Sequence, residues 1–523
     1  MEIPPLPFKV LALAPFLPQS DKSWLAGPLQ VDLTSLDSVL EGMSVSLFLP
    51  LPKNLCPPGG LTLHFKRMKD FSPEALMENN SFLRNLLEAR AFIQDAGRQG
   101  LSAEALSVRL KGWPDLPPEL KFETQKEKPS TSSSKSIDNL LQMVAMPEEG
   151  SGRRTEFLPF GEQIDGLLRQ ILGRIFTDEN FKDLESVWRG LQFTLKQGNF
   201  GGDSSLAVVP VSSATLEETL DGLLLRLAGD LPSLILIDLP LDNSPRSSEL
   251  LEKIGQFAET LLAPTLGWVA PKFFHLEAWP DLARLPFLPH YLDEPQFAKW
   301  RSFRKSSPAR WVGITCNRFL IRDAYGKEKA PGRVWFEESQ GLWASPVWGA
   351  GSLIAQGFKR HGWPTRFTEW REVRLVDLAL HPVEGNRSLT TEAYLAEERI
   401  DQFVRGGIIP LVSAYNQDVA FLPLEANVAG SSLRYQLFLS RITRFLFWCK
   451  DHFPRELDPA GVEKNLKTTF SLLWERSGHP VPSKMELSVR QTKPDQPFIV
   501  KIALEAPRQV LPSGEKVELE VQW

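Results

Sequence analysis

The sequence predicts a mixed α/β fold of the α+β kind, in more than one domain, and three observations carry that prediction. Short apolar runs of strand length alternate with amphipathic helical segments through the middle of the chain. The last forty residues change to a two-residue alternation. A polar, serine-rich stretch, Glu123 to Ser136, carries no large apolar side chain and reads as a linker. At 523 residues the chain has room for two or more domains of about 100–200 residues each.

The first run, Phe8 to Leu13, lacks a preceding basic region and is followed by Pro15, so it reads as a strand rather than a signal peptide. Val31-Asp32-Leu33, the alternating Val45 to Leu49, and Leu61 to Phe65 follow as further strands. Ser72-Pro73-Glu74 is a helix start, and from Phe82 the residues Leu83, Leu86, Leu87 and Ala91 recur at helical intervals. With 12 basic and 13 acidic side chains, residues 1–122 are neither a basic arm nor an acidic tail and are expected to form a small folded domain. Residues 123–136 are the flexible linker, of relaxed span roughly 20 Å.

Residues 137–523 form the larger region, comprising an N-terminal helix and connector (137–160), an α/β body (161–480) and a C-terminal β segment (481–523). Ser136 can cap a helix whose apolar positions Ile137, Leu140, Leu141, Val144 and Ala145 share one face. From Glu162 to Phe176 runs the clearest helical stripe in the chain, through Ile164, Leu167, Leu168, Ile171, Leu172 and Ile175. Asp178 to Lys196 continues helically, after which the strands Leu206 to Val211 and Leu234 to Ile237 alternate with the helices Ser213 to Leu227 and Ser248 to Leu262. At the C-terminus Met485, Leu487 and Val489 alternate with polar residues, as do Phe498, Val500, Ile502 and Leu504, and Val517 to Trp523. Three such strands have edges that must be paired, internally or by another subunit.

The chemistry-bearing patterns are sparse. A formal charge of -5 argues against general nucleic-acid binding. Cys56, Cys316 and Cys449 are too few and too far apart for a disulfide framework or a CxxC metal site, which fits a reducing, cytoplasmic setting. The seven histidines form no HExxH pair, and no GxxxxGK[ST] phosphate loop is present. Gly349-Ala350-Gly351 has Ile354 where a dinucleotide fingerprint needs its third glycine, and reads as close packing at a helix start. Glu337 and Glu338, neighbours along the chain, point in different directions and lack an identifiable acid–base partner. The Arg301 to Arg322 stretch, with Trp300, Phe303 and Trp311 interleaved, fits a protein interface or buried ion pairs. An enzyme would need a pocket that gathers residues such as Glu337, Arg318 and His361. Neither a catalytic site, a cofactor nor a metal is expected. No uncharged apolar stretch reaches the roughly 18 residues of a membrane span, so direct membrane insertion is not expected either.

Against this background Phe181 to Leu191 (FKDLESVWRGL) resembles the F-x-x-L-E-x-x-W-R-G-L element of the large contractile-sheath subunit of type VI secretion systems. Further elements of that family follow in its order: Trp300 to Arg304 (WRSFR), Arg310-Trp311-Val312-Gly313, Arg318 to Gly326 (RFLIRDAYG), Phe336-Glu337-Glu338, Trp348-Gly349, Leu389-Thr390-Thr391-Glu392 and Gly407 to Leu411 (GIIPL). The N-terminal part is similar to the small sheath subunit through Phe8-Lys9-Val10-Leu11, Gln30-Val31-Asp32, Lys69 to Leu76 (KDFSPEAL) and Leu83 to Arg90. The family's proline before the R-x-L-x-R element is Asn317 here, its second proline is Ala324, and its G-G-x-P and G-D-Y elements are missing or eroded around Leu231 to Ser244.

The resemblance implies both sheath subunits (TssB/VipA-like and TssC/VipB-like) fused in one chain, with the tail-sheath-like protomer fold. By the same resemblance its copies would assemble helically around an inner tube of the hemolysin-coregulated type, on an envelope-anchored baseplate in the bacterial cytoplasm, and contract. Phe181, Leu184, Glu185, Trp188, Arg189, Trp300, Arg304, Arg318, Arg322, Tyr325, Glu337 and Glu338 would be the family's packing residues. Ile137, Leu140, Leu141 and Val144 would form a helix gripped by a ClpV-type AAA+ unfoldase. Met485, Leu487, Val489, Phe498, Val500, Ile502 and Leu504 are the local candidates for strands exchanged between neighbours. The competing expectation is a sheath-derived adaptor or baseplate component that no longer polymerises.

Overall fold

The computed structural model describes residues 6–18, 24, 26–99, 101–117, 120, 151–327, 334–454, 456–491 and 497–523. The linker and the helix expected at Ile137 to Val144 lie outside the described residues. The rest forms two compact units, which do not follow the division that the linker suggests. One unit comprises residues 1–39, 183–323 and 341–523; the other comprises 40–182 and 324–340.

The larger unit is built on a seven-stranded sheet in the order Ile408–Pro410, Val312–Cys316, Thr265–Val269, Leu234–Leu241, Phe8–Ala14, Ser204–Pro210 and Leu29–Val31. Every neighbouring pair is parallel except the last, which makes Leu29–Val31 an antiparallel edge. Parallel strands covered on both faces read as continuous apolar runs rather than alternations. Accordingly Thr265–Val269 and Val312–Cys316 are buried at every position. The same reason places the first strand, from the segment expected to form a domain over residues 1–122, in this sheet. Phe8–Ala14 is an apolar strand without a polar face, and it finds cover and two hydrogen-bonded neighbours only between Ser204–Pro210 and Leu234–Leu241.

Helices Leu216–Leu227 and Pro245–Leu261 pack together, with the second against this sheet, in a core that includes Leu11, Leu13, Ile235 and Ile237. Ser244 caps the second helix by accepting from Ser247 N, with Pro245 at its first turn. Helix Pro346–His361 also packs on the sheet strands, at Leu234–Leu241 and Thr265–Val269. A further core in this unit joins helices Leu433–His452 and Pro459–Arg476 to an antiparallel sheet of Met485–Arg490, Ile499–Glu505 and Lys516–Gln522.

The smaller unit carries the hairpin Ser46–Pro50 and Gly60–His64 and the helices Pro73–Asn79, Ser81–Arg98, Ala103–Lys111 and Ser151–Thr177. Ser72 caps the first of these helices through Ala75 N. Arg90 reaches across to Asp165, with Nη2 3.1 Å from Oδ2, and ties Ser81–Arg98 to Ser151–Thr177. Among the described residues no helix is long and apolar enough to cross a membrane.

Candidate functional site

Three family-type residues of the larger unit, Glu185, Arg189 and Arg322, meet at one buried carboxylate. Glu185 is fully buried, and its Oε1 accepts from Arg189 Nε at 2.6 Å and from Arg322 Nε at 3.1 Å. Arg322 Nη2 lies 3.4 Å from Oε2. Arg189 is placed by helical i,i+4 spacing along Glu179–Gln197, whereas Arg322 arrives from the end of the strand Phe319–Arg322. One anion between two guanidiniums is a geometry that fixes this strand against the helix.

Around that centre the same helix holds the loop after the first strand. Trp188 Nε1 donates to Phe16 O at 3.1 Å, and its ring meets the Phe16 ring edge-on at 5.2 Å. Gly190 has a specific reason to be glycine, because a Cβ there would lie 2.4 Å from Trp348 Cδ1. Trp348 itself is fully buried and donates from Nε1 to Asp238 Oδ2 at 2.6 Å. Burial pushes the Asp238 carboxyl up to about 6, against hydrogen bonds that act to lower it.

Two other family elements meet each other. Arg318 clamps Glu392 with Nε and Nη2 each 2.8 Å from a carboxylate oxygen. Arg304 donates to Val428 O and to Arg405 O, each at 2.9 Å, so its charge faces the carbonyl end of helix Glu397–Arg405. Trp300 is buried against Phe273. Asn317, which stands at the family's proline position, is fully buried at φ 73°, a left-handed backbone that proline cannot adopt. Its Nδ2 donates to Ala393 O and Leu411 O, both at 2.9 Å, and its Oδ1 accepts from Ala393 N at 3.0 Å.

In the smaller unit Phe181 is buried in an aromatic group with Phe65, Phe71 and Phe176. Tyr325 packs edge-on against Phe176, and its backbone N donates to Glu338 Oε2 at 3.1 Å. Glu337 is exposed while Glu338 is buried, so the pair does not act as two facing carboxylates. Gly351 fits close packing, since a Cβ there would lie 2.6 Å from Leu236 Cδ1.

The one described group with metal-ligand composition is His361, Glu369 and Glu372, whose ligand atoms lie within 4.8 Å of one another. Arg366 already pairs with Glu369 at 2.6 Å and Arg360 with Glu372 at 3.1 Å. Two guanidiniums against two carboxylates make this an ion-pair cluster rather than a cation cradle.

The C-terminal sheet supplies the open surface. Met485, Leu487 and Val489 pair with Leu504, Ile502 and Val500, so the sequence-derived exchange candidates are largely one another's partners. Ile499–Glu505 is the central strand and has no free edge. The outer edge of Met485–Arg490 is occupied at Val489, whose N–H donates to Glu463 Oε2 at 3.3 Å from helix Pro459–Arg476. The other outer strand is Lys516–Gln522, which no described strand flanks on its outer side and which is touched at its end, where Gln522 O accepts from Lys450 Nζ at 3.3 Å. Trp523 N donates to Phe498 O at 2.7 Å, and two-residue alternation then turns the N–H groups of Lys516, Glu518, Glu520 and Gln522 outward. Alternation in the sequence revealed three strands, but not their spatial order or which edge a glutamate from elsewhere would cap.

Two protein families match successive parts of the chain. Residues 2–111 match the family described as type VI secretion system VipA (VC_A0107 or Hcp2). Residues 226–427 match VipB, described as EvpB/VC_A0108, tail sheath N-terminal domain. The type VI secretion system sheath protein TssC1 of Pseudomonas aeruginosa is 25% identical over 289 residues, covering 49% of this chain and 58% of TssC1. The chain thus spans somewhat over half the length of that relative. The sheath tail protein Lin1278 from Listeria innocua aligns over 62% of this chain and 61% of its own at 11% identity, with a TM-score of 0.34.

Proposed function

We propose, from the premise that this chain is a fused TssB/TssC-like sheath protein with a structural rather than an enzymatic role, that its copies polymerise as whole protomers into a helical sheath. The observation that carries this reading is the presence of a VipA-type segment and a VipB-type segment in one chain, with the strand Phe8–Ala14 of the former inside the sheet of the larger unit. Fusion fixes the stoichiometry at one to one and holds the halves at an effective concentration of ~mM. The sheath would enclose an inner tube of the hemolysin-coregulated type on a baseplate and drive it outward by contraction. That contraction would be a two-state packing change summed over many weakly biased interfaces. Strand addition at the outer edge of Lys516–Gln522 would link neighbours while allowing rigid-body rotation. Residues 137–146 would serve a ClpV-type unfoldase after contraction.

Negative-stain electron microscopy of the full-length chain, alone and with the tube protein from the same genome, tests this. Hollow striated cylinders are expected. Discrete monomers or small rings under both conditions would overturn polymerisation in favour of a sheath-derived adaptor.

A further inference from the structure

The larger unit contains a groove whose charge is unbalanced. Its volume is about 640 Å³, within the usual range of binding pockets. Leu224, Leu225, Leu231, Leu261, Phe447 and Trp448 form apolar walls, and Arg444 lines it from helix Leu433–His452. Leu225 is 87% exposed, the most exposed large apolar side chain among the described residues.

Arg444 is only 9% exposed, and Arg441, three residues earlier on the same helix, is 8% exposed. Arg444 donates to Ser233 Oγ and to Pro7 O; Arg441 donates to Leu6 O and lies over the Phe358 and Trp363 rings. All of these partners are neutral. Among the described residues neither guanidinium has a carboxylate at ion-pair distance, Asp230 acting on Arg444 only at longer range. Lys9, Lys450 and Arg444 set three cations in the groove lining against two anions, Asp230, which Lys9 engages, and the exposed Asp451. Burial holds the Arg444 guanidinium down at about 10. A buried charge without a counter-charge is expensive, so the groove favours a guest that brings a carboxylate on an apolar body.

The chain itself displays such a guest. Val376 and Leu380 are each 36% exposed and flank Asp377, an exposed residue at φ 56° that no described side chain pairs with. Backbone bonds from Leu375 N to Ala420 O (2.8 Å) and from Leu378 N to Asp418 O (3.1 Å) pin the turn on either side of Val376 and Asp377. Elsewhere among the described residues, exposed large apolar side chains are not found two within five residues around an exposed acid. At Leu424 the adjacent Glu425 is half-buried and held by Arg434, and Asp32 beside Leu33 is spent on Thr34 and Ser35.

We propose that the groove is a docking site for the Val376–Leu380 turn of a second copy, the guest's Asp377 pairing with the host's Arg444 while its Val376 and Leu380 cover Leu225. The two surfaces are different patches of one chain, so the contact is head-to-tail. A head-to-tail contact that does not close into a ring generates an open helix, which is the symmetry of a sheath. The inference rests on the self-assembly reading above and adds to it which faces meet.

The test uses full-length chains carrying Leu225→Cys or Val376→Cys, mixed, allowed to assemble and treated with a short bis-maleimide. Cys56, Cys316 and Cys449 are buried and supply a low background. A dimer band from the mixture, and absent from either variant alone, is the expected result. Asp377→Lys, a change on an exposed turn, is expected to raise the concentration needed for assembly by more than about tenfold. Cylinders without the cross-link, and with Asp377→Lys assembling as the parent does, would overturn the docking while leaving polymerisation intact. A parent chain that does not assemble at all would overturn both.

Discussion

The most exacting test of the buried centre is Glu185→Leu. The carboxylate is fully buried and takes three hydrogen bonds, at 2.6, 3.1 and 3.4 Å, from guanidiniums whose side chains are only 23% and 10% exposed. Its removal leaves two like charges side by side with little solvent to screen them. Breaking a buried pair in this way costs about 3–5 kcal/mol, so about 4 kcal/mol is expected here, or roughly a thousandfold in the folding equilibrium. With a urea dependence of about 3 kcal/mol per molar, the unfolding midpoint followed by tryptophan fluorescence falls by more than about 1 M. A second variant separates charge from shape. Replacing the whole group (Glu185→Leu, Arg189→Met, Arg322→Met) removes both cations together with their shared carboxylate and is expected to recover most of the loss, since well-packed apolar replacements of buried ion groups are often neutral. A single variant within about 0.5 kcal/mol of the parent would refute the claim that this carboxylate organises the site. A triple variant no better than the single would show that packing volume, rather than charge, sets the cost.

Gly190→Ala places a methyl group against the fully buried Trp348 ring and is expected to cost about 1–3 kcal/mol by overpacking, read as a lowered thermal midpoint; Gly190→Ala with Trp348→Phe should regain part of it. Asn317→Pro requires a φ near −65° where the backbone stands at 73° and abolishes three buried hydrogen bonds, so no folded full-length protein is expected on size exclusion, whereas Asn317→Gly keeps the backbone and loses only the bonds. Asp238 has a folded-state value of about 6 against 3.8 unfolded, so the native state holds more protons between those values and stability falls as pH rises from 4 to 6, by about 2 kcal/mol. Asp238→Asn should remove that component, and a variant whose urea midpoint follows the parent's slope from pH 4 to 6 would refute it. Glu520→Pro deletes an outward N–H from the open strand edge and should leave the monomer's circular dichroism unchanged while reducing assembly; assembly at parental yield would exclude that edge as a linking strand.

What the sequence made legible was local. The stripe from Ile164 to Phe176 falls within the helix Ser151–Thr177, the run Phe8 to Leu13 within the strand Phe8–Ala14, and the alternation of the last forty residues is the three-stranded C-terminal sheet. Each depends on a period set by backbone geometry, which side-chain polarity reports directly. Partners separated by a hundred residues are not encoded in any period. Glu185 and Arg322 are 137 positions apart, and Arg318 and Glu392 are 74 apart; each was identifiable as a family-type residue, but their pairing is a product of topology. Asn317 registered in the sequence only as a departure from a proline. Its left-handed backbone and three-bond side chain show a local solution different from proline's, rather than a simple loss.

The two compact units do not follow the linker, for a related reason. A linker marks where the backbone crosses a polar gap, and composition alone then assigns everything before it to one domain. Strand neighbours are chosen by burial instead. Phe8–Ala14 is buried along nearly its whole length, and an edge position would leave one row of its N–H and C=O groups without partners. Residues 1–39 therefore complete a sheet whose other strands come from beyond residue 200, while residues 40–182 build their own core. Joining the two subunit types in one chain acts at this point. It makes the insertion of a central strand an intramolecular step, whose cost grows only slowly with the length of the connecting loop.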